Sequence, residues 1–326
     1  MKSYSAVVRA LVIGMLVGLA NAVHAQQPYP SKPIRIIVPY AAGGTSFLLT
    51  QLIGNKLQDS MGQPVVMDVR PGGNSVIGTE AMTRSAPDGY TLLMVSNSHV
   101  VSPSLLKNLP YDAIKDFAPV ATLVTSEYVF VASPQFPANN LQELIALCKA
   151  KPGVYNFASA STGTPSHLAN ELFNIRTGIK VQHVPYKGSG PAINGTIAGE
   201  VQMNFNPPIL LLQFIKAGKL KALAVTGNKR LPSLPQVPTF TEAGLADFDV
   251  SSWYGVLAPA GTPKAIIETL SAEFSKALRL PDIKEKLESL GTEPFITTPD
   301  RLGALMKADL EKYAHVIKTA NIKLED

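Results

Sequence analysis

Two short segments of the chain combine glycines with hydroxyl side chains in a pattern that suits the binding of an anion. The first loop is PYAAGGTS at residues 39–46, the second loop is ASASTGTPS at residues 158–166, and neither contains a charged side chain. Each follows a predicted strand and precedes a predicted helix. Free backbone N–H groups at a helix start, with the positive end of the helix dipole, attract anions. Either segment alone is more often a tight turn, but the pair predicts one cleft between two anion-holding loops.

Side chains that could carry catalysis do not form a convincing set. Ser104 and Lys107 have the Ser-x-x-Lys spacing of penicillin-recognising hydrolases, but the accompanying Lys-Thr-Gly and Ser-Asp-Asn strings do not occur. No Gly-x-Ser-x-Gly elbow and no phosphate-binding Gly-x-x-x-x-Gly-Lys string occurs either. The histidines beyond the N-terminal leader have no metal-ligand spacing: His99, His167, His183 and His315. We therefore expect a protein that is not an enzyme and that uses no cofactor or metal.

Strands and helices alternate around the two loops, which is typical of an α/β fold with βαβ units and a parallel sheet. The helix after the first loop starts at Thr45 or Ser46, and the helix after the second loop has proline at its first position. A short helix follows residues 72–75. Further helices are predicted over residues 141–149, and from prolines 263 and 299 to about residues 278 and 317. The predicted strands cover residues 34–38, 64–69, 90–95, 129–132, 155–158, 181–184, 201–205 and 222–225.

The composition indicates a globular protein that is large enough for two domains. The chain has 326 residues, of which 46% are hydrophobic and 16% charged, and its formal net charge is +5. The basic residues are scattered rather than clustered, so we expect no nucleic-acid partner. Cys148 is the single cysteine, which excludes an internal disulfide. Its apolar, helically spaced neighbours predict a buried thiol.

The N-terminus has the features of a secretory signal peptide. Lys2 and Arg9 precede an apolar run over residues 10–20, and small residues at 23 and 25 suit cleavage after Ala25. The apolar run is too short to span a membrane. We therefore expect a signal peptide over residues 1–25 and a mature, soluble chain in the periplasm.

A series of strings along the chain resembles the Bug receptors, the periplasmic substrate-binding proteins of tripartite tricarboxylate transporters. The first string is YPSKPIRIIVPYAAGG at residues 29–44. The others, in the family's order, are RPGGN at 70–74, APDGYTLLM at 86–94, LPYD at 109–112, HVPYKGS at 183–189, KALAVT at 221–226 and LAPAGTP at 257–263. The resemblance covers essentially the whole mature chain.

This resemblance implies a two-lobed periplasmic binding protein of type II topology, in which each lobe is a central sheet flanked by helices. By analogy, the chain crosses between lobes near residues 127–129 and 249–252. Lobe I would then be residues 26–127 and 249–326, and lobe II residues 128–248. In the family, backbone and small polar groups of the first loop hold a ligand carboxylate, often through water, and the second loop closes from lobe II. A monomer that meets membrane transporter subunits, or instead a sensor-kinase ectodomain, is the expected functional form.

The residue after the first loop departs from part of the family. Amino-acid-binding members carry an acidic residue shortly after the Gly-Gly pair, where this chain has Phe47. An acidic side chain suits a ligand ammonium group, so its absence argues against an amino acid. A phenylalanine ring instead offers an apolar wall worth about 1.5–3 kcal/mol when buried. We expect an aromatic carboxylate of the terephthalate kind. If Phe47 points into the core, an aliphatic di- or tricarboxylate is the better expectation.

Polar residues at other strand ends complete the predicted site, each with a plainer alternative. Ser96 and Ser98 follow a strand but could form a solvated loop, and His167 could donate to a carboxylate or lie on a helix face. Lys187 could serve the cleft or a surface ion pair. Trp253 and Tyr254 are expected to pack at the second crossing. The predicted ligand-binding set is Tyr40, Ala42, Gly43, Gly44, Thr45, Ser46, Phe47, Ser96, Ser98, Ser161, Thr162, Gly163, Thr164, His167, Tyr186 and Asn206.

Overall fold

The computed structural model describes residues 29–106, 108–246, 248, 250–319 and 322. The chain divides into a unit over Met1–Ser31 and a unit over Lys32–Asp326, and the second unit carries the fold. The predicted signal peptide, its cleavage site, Lys107 and the start of the second predicted crossing at Asp249 lie outside the described residues. In the part of the chain that the structure describes, no helix is both long enough and apolar enough to cross a membrane.

Two separate sheets form the core of this unit. The strands of the first sheet are β1 (Ile34–Val38), β2 (Val65–Val69), β3 (Thr91–Ser96), β4 (Phe117–Glu127), β10 (Ser251–Pro259) and β11 (Glu293–Pro294), in the order β11-β4-β10-β3-β1-β2. The strands of the second sheet are β5 (Val129–Ala132), β6 (Asn156–Ser159), β7 (Gln182–Pro185), β8 (Met203–Asn206) and β9 (Lys221–Val225), in the order β7-β6-β8-β5-β9.

Helices flank both sheets and start close to the strand ends. In chain order they are α1 (Thr45–Met61), α2 (Val76–Thr83), α3 (Ser98–Leu105), α4 (Leu141–Ala150), α5 (Pro165–Thr177), α6 (Ser189–Ala198), α7 (Pro208–Lys216), α8 (Lys264–Arg279), α9 (Pro281–Ser289) and α10 (Pro299–Thr319). A single 3-10 turn over Gly73–Ser75 precedes α2. The predicted two-lobed α/β fold, with a central sheet and flanking helices in each lobe, is confirmed.

The prediction of a parallel sheet is right for only part of each sheet. Strand β1 is parallel to β2 and β3, and β6 is parallel to β7 and β8. However, β10 is antiparallel to β3 and β4, and β5 is antiparallel to β8 and β9. The physical reason is that the chain changes sheets between Glu127 and Val129 and again between β9 and β10. The strand that follows each change, β5 or β10, runs antiparallel to the two strands beside it.

The apolar cores explain why each sheet is stable and how one helix links them. The rings of Phe130 and Phe205 stack at 4.4 Å in the core of the second sheet. Cys148 lies in the same core and is 1% exposed, which confirms the predicted buried thiol. Burial raises the pKa of this thiol to about 11. Leu168, on α5 beside the second loop, packs into the core of the first sheet, so α5 bridges the two halves.

Candidate functional site

A cavity of ≈ 580 Å³ lies where strands of both sheets end. Its wall includes the segments that follow β1, β3, β6, β7 and β8, which is where open α/β sheets bind ligands. The two loops predicted to face each other therefore do line one cavity. The predicted site residues on its wall are Tyr40, Ala42, Gly44, Thr45, Ser46, Ser96, Ser98, Ser161, Thr162, Gly163, Thr164, Tyr186 and Asn206.

Several helices start at this cavity, and three of them begin in its glycine-bearing segments. Gly44 precedes α1, Thr164 precedes α5 and Gly188 precedes α6, and all three residues lie on the wall. None of these three residues caps a backbone N–H of its helix with a side-chain hydrogen bond. The hydroxyl group of Thr164 instead donates to the Ser161 carbonyl at 2.7 Å. First-turn N–H groups without a side-chain cap remain available to an anion, and the dipoles behind them favour negative charge.

Three hydroxyl groups form a cluster on the first-sheet side of the cavity. The Tyr40 hydroxyl lies 3.2 Å from the Ser96 hydroxyl and 2.9 Å from the Ser98 hydroxyl, and the two serine oxygens are 2.9 Å apart. The backbone N–H of Ser96 also donates to the Tyr40 oxygen at 3.1 Å. A hydroxyl group both donates and accepts, so this cluster can turn a proton toward a ligand oxygen without a change in charge.

The second loop reaches the first sheet through Ser161. Its hydroxyl group donates to Oδ1 of Asn74 at 2.6 Å. Asn74 also lines the cavity and belongs to the 3-10 turn that follows β2. The predicted site did not include Asn74, although it ends the RPGGN string. Its backbone φ of +53° is a conformation that asparagine tolerates better than most residues.

Two glycines let the halves approach closely. A Cβ atom on Gly163 would stand 2.0 Å from Cδ1 of Leu105 in α3, and a Cβ atom on Gly188 would stand 3.3 Å from Cβ of Ala41. Both glycines have positive φ, +76° and +119° respectively. Glycine suits both positions for two reasons: its backbone tolerates a positive φ, and it has no Cβ atom to collide with the facing side chain.

His167 does not reach the cavity, so its predicted role as a ligand donor is not supported by its position. The side chain is buried behind the second loop, and its Nδ1 accepts a 2.9 Å hydrogen bond from the N–H of Gly163. The physical reason is the helix start: the third residue of α5 turns its side chain back toward the preceding turn. The ring is therefore occupied by the loop backbone.

Phe47 and Gly43 are likewise absent from the cavity wall. Phe47 is half-buried in α1, one residue and about 100° of helix rotation beyond Ser46. That rotation takes its side chain away from the wall, so the apolar wall that the sequence suggested at this position is not there. Gly43 is exposed, and a Cβ atom added to it would meet nothing within 4 Å.

Tyrosines form the aromatic part of the wall. Tyr128 and Tyr254 line the cavity although neither was in the predicted set, and Tyr254, which was expected to pack at the second crossing, also forms part of the wall. Burial raises the pKa of both phenols, so both remain protonated donors. Its neighbour Trp253 does pack in the first-sheet core and donates to Asp309 Oδ2 at 2.7 Å. Alternation along β10 separates the two side chains.

Two other predicted wall residues use their polar groups on neighbours. The Tyr186 hydroxyl donates to Glu200 at 3.2 Å, which leaves the ring as its contribution to the wall. The Asn206 side-chain amide donates to Oδ1 of Asn204 at 2.6 Å. This bond uses one N–H of the Asn206 amide and orients the group, which leaves its second N–H and its oxygen.

Charge is scarce around the cavity. Lys187 is the one ionisable Lys, Arg, Asp, Glu or His side chain among the described wall residues, and it is exposed. Among the same described residues, no group of three or more His, Cys, Asp or Glu side chains is placed to hold a metal ion. The site therefore offers neutral donors and helix starts, with one cation at its edge.

Comparisons with known proteins agree with this architecture. A family model described as "Tripartite tricarboxylate transporter family receptor" matches residues 49–322. The chain is 38% identical over 319 residues to Protein BugT of Bordetella pertussis, covering 96% of this chain and 98% of that protein.

Two solved structures are similar over nearly the same length. The structure of periplasmic binding protein BugD has a TM-score of 0.85 at 32% identity, covering 91% of this chain and 100% of that one. The structure of R. palustris Rpa4515 with adipate has a TM-score of 0.87 at 29% identity, covering 90% of this chain and 99% of that one.

Proposed function

The chain belongs to the receptor family of tripartite tricarboxylate transporters, and from that premise we propose that it captures one small carboxylate in the cavity between its two sheets. The observation that carries the proposal is the convergence of Gly44, Thr164 and Gly188, three helix starts without side-chain caps, on one wall. Each charge–dipole interaction is worth about 0.3–1 kcal/mol when exposed and more when water is excluded. Several together select an anion.

The shape and charge of the wall support a carboxylate with an apolar body. Tyr128, Tyr254 and Leu105 line the cavity, and Lys187 is its one described cation. Burying a charge without a partner is expensive, so a ligand with three carboxylates would lack compensation. An aromatic carboxylate of the terephthalate kind fits these constraints, with tyrosine rings in place of the Phe47 ring that the sequence suggested.

An aliphatic dicarboxylate is the second candidate. It is favoured by the similarity to the structure of Rpa4515 with adipate, and an adipate chain is also apolar between its two charged ends. Both candidates need hydroxyl and N–H donors at the cavity. They differ in whether a flat ring contacts the tyrosine rings, which adds about 0.5–1.5 kcal/mol for a well-arranged aromatic pair.

Calorimetric titration of the purified, ligand-stripped protein tests the proposal. We expect one molecule of terephthalate or adipate to bind per chain, and citrate and lysine to bind more weakly. The site variant Thr45→Val should weaken binding, whereas the matched change Thr269→Val, on the exposed surface of α8, should not. Tighter binding of citrate would contradict the apolar-body proposal, and failure of every acid to bind would contradict the carboxylate site.

Export and partners complete the proposed function. A leader over residues 1–25 would be removed after Ala25, leaving lobe I as residues 26–127 and 249–326 and lobe II as residues 128–248. N-terminal sequencing of the protein from a periplasmic extract should begin at Gln26. The loaded monomer would then meet membrane transporter subunits or, in the second case, a sensor kinase. Deletion of the receptor gene should abolish ligand uptake in the first case and only the transcriptional response in the second.

A further inference from the structure

Gly163 lies at the point where the second loop contacts helix α3, which flanks the first sheet. Its φ is +76°, and a Cβ atom there would stand 2.0 Å from Cδ1 of Leu105. The placement of this residue therefore sets how closely the loop approaches α3. Its neighbours Ser161 and Thr162 line the cavity, so whatever fixes the Gly163 backbone also fixes that part of the wall.

A buried histidine holds this backbone group. The N–H of Gly163 donates to Nδ1 of His167 at 2.9 Å, and the histidine is 4% exposed. Because Nδ1 accepts a hydrogen bond, the neutral ring must carry its proton on Nε2. Nε2 lies 3.5 Å from Oε1 of Glu171, one turn further along α5. The carboxylate stabilises the tautomer that leaves Nδ1 free to accept.

The arrangement resembles a helix capping box with one change of chemistry. In a capping box, a Glu or Gln at the third helical position reaches back to a backbone N–H before the helix. His167 occupies the third position of α5 and makes a similar contact with the N–H of Gly163, one residue before the N-cap Thr164. A carboxylate here would lie directly beneath a loop that is to hold an anion, and like charges at such a distance repel. A neutral imidazole accepts the bond without that repulsion.

A second imidazole supports the first. The rings of His167 and His183 stack with centroids 3.8 Å apart. Nε2 of His183 lies 2.6 Å from the Ser159 hydroxyl, which donates to the Ser161 carbonyl at 2.9 Å. Burial, and secondly the neighbouring His167, lower the pKa of His183 to about 3. His183 thus supports the Ser161 end of this loop segment through Ser159, and His167 holds the Gly163 end. Neither ring adds a fixed charge.

We propose that His167 is a positioning residue for the bound anion. Its unprotonated Nδ1 holds the Gly163 amide, so that the second loop keeps its remaining donors toward the cavity, and its neutrality keeps negative charge away from the ligand. This rests on the proposed function, because it assumes that the cavity holds a carboxylate. The two roles are separable by substitution.

Four variants test the two roles. His167→Asn keeps a neutral acceptor near the Nδ1 position, His167→Asp keeps the acceptor and adds a charge, and His167→Leu removes the acceptor. His315→Leu is the matched control on the exposed surface of α10. Two measurements apply to each: hydrogen exchange of the Gly163 amide in the ligand-free protein, followed by nuclear magnetic resonance, and affinity for terephthalate and adipate by calorimetry.

We expect His167→Leu to accelerate Gly163 exchange about tenfold and to weaken acid binding about fivefold, as the loss of one hydrogen bond implies. His167→Asn should keep both values within about twofold. His167→Asp should keep the exchange protection yet weaken binding at least about tenfold, because its negative charge would lie beneath the loop that holds the anion. The control should match the wild type. Nitrogen chemical shifts of the wild-type ring should show an unprotonated Nδ1.

Any of three results would contradict part of the proposal. Unchanged Gly163 protection in His167→Leu, or a protonated Nδ1 in the wild-type spectrum, would remove the positioning role. Equal acid affinity of the Asn and Asp variants would remove the role of neutrality. The exchange and spectral measurements need no ligand, so they judge His167 even if no acid binds, an outcome that would contradict the proposed function instead.

Discussion

The hydroxyl group of Ser161 donates a 2.6 Å hydrogen bond to Oδ1 of Asn74. Ser161 follows β6 of the second sheet and Asn74 follows β2 of the first, so the bond joins the two sheets across the cavity. Asn74 and Ser75 both have positive φ, +53° and +74°, a backbone region that costs roughly 1–2 kcal/mol for residues other than glycine. We infer that the bond favours the arrangement in which the two loops face each other closely.

This bond should appear as a coupling in a double-mutant cycle. We expect Asn74→Ala and Ser161→Ala each to release bound terephthalate or adipate about fivefold faster, and the double variant to be no faster than either, a coupling of about 1 kcal/mol. Stopped-flow release measurements check this, with Ser289→Ala on α9 as the control. Additive effects of the two changes would show that the residues act separately.

The close approach at Gly163 predicts a steric effect that can be separated from backbone strain. Gly163 and Gly43 have nearly the same φ, +76° and +79°, but only Gly163 has a side chain in the way of an added Cβ atom. Gly43→Ala should therefore show only the backbone cost of about 1–2 kcal/mol. Gly163→Ala should also lose acid affinity, about tenfold or more, because Leu105 must move.

Thermal unfolding and calorimetric titration of both variants provide the comparison, and Gly163→Ala combined with Leu105→Ala should recover part of the affinity. Equal affinity losses in the two single variants would show that the contact with Leu105 is unimportant.

Acid should destabilise the fold through His99. Burial lowers its pKa to about 4, and its Nε2 hydrogen-bonds the Ala113 carbonyl at 2.9 Å. The unfolded chain takes up the proton near pH 6.5, before the folded chain does, so stability is lost as the pH falls from about 6.5 to about 4. Each pH unit in that window costs about 1.4 kcal/mol.

Urea unfolding at each pH, compared between the wild type and His99→Gln, isolates this contribution. Glutamine keeps a donor for the carbonyl but does not titrate. Between pH 6.5 and about pH 4 the free energy of unfolding of the variant should therefore fall by about 3 kcal/mol less than that of the wild type. If the free energy of unfolding falls equally with pH in the two proteins, His99 is already protonated in the fold or does not stay buried.

The position of the aromatic wall predicts that two substitutions differ in their effect on terephthalate affinity. Phe47 lies off the cavity and Tyr254 lies on it. Phe47→Leu should therefore leave terephthalate affinity within about twofold, whereas Tyr254→Leu should weaken it by about tenfold, through loss of ring contact and of a hydroxyl donor. Titration of both variants decides, and a larger effect of Phe47→Leu would restore the wall that the sequence suggested.

Much of the site was predictable because it depends on local chemistry. A glycine- and hydroxyl-rich segment between a strand and a helix specifies a helix start with free N–H groups, whatever the rest of the chain does. For that reason Gly44, Ser46 and Thr164 were placed correctly on the cavity wall. The same locality explains the buried Cys148, whose neighbours already have helical apolar spacing.

The errors arise where a side chain's direction depends on packing. His167 and Phe47 lie within one turn of a correctly predicted helix start. The rotation of the helix, however, directs the His167 ring toward the loop backbone and the Phe47 ring away from the wall. Asn74 and Tyr254 lie far from both loops in sequence. Only the pairing of strands from different parts of the chain brings them to the cavity, so no local signal identified them.

The sequence by itself determined the two loops, the helices that begin at them and the family to which the resemblance pointed, because strand, turn and helix preferences act over a few residues. The tertiary structure alone decided that the sheets are mixed, that tyrosines rather than Phe47 form the aromatic wall, and that His167 serves the loop backbone. The physical reason is that strand direction, ring placement and the bond between Ser161 and Asn74 all depend on contacts between distant segments.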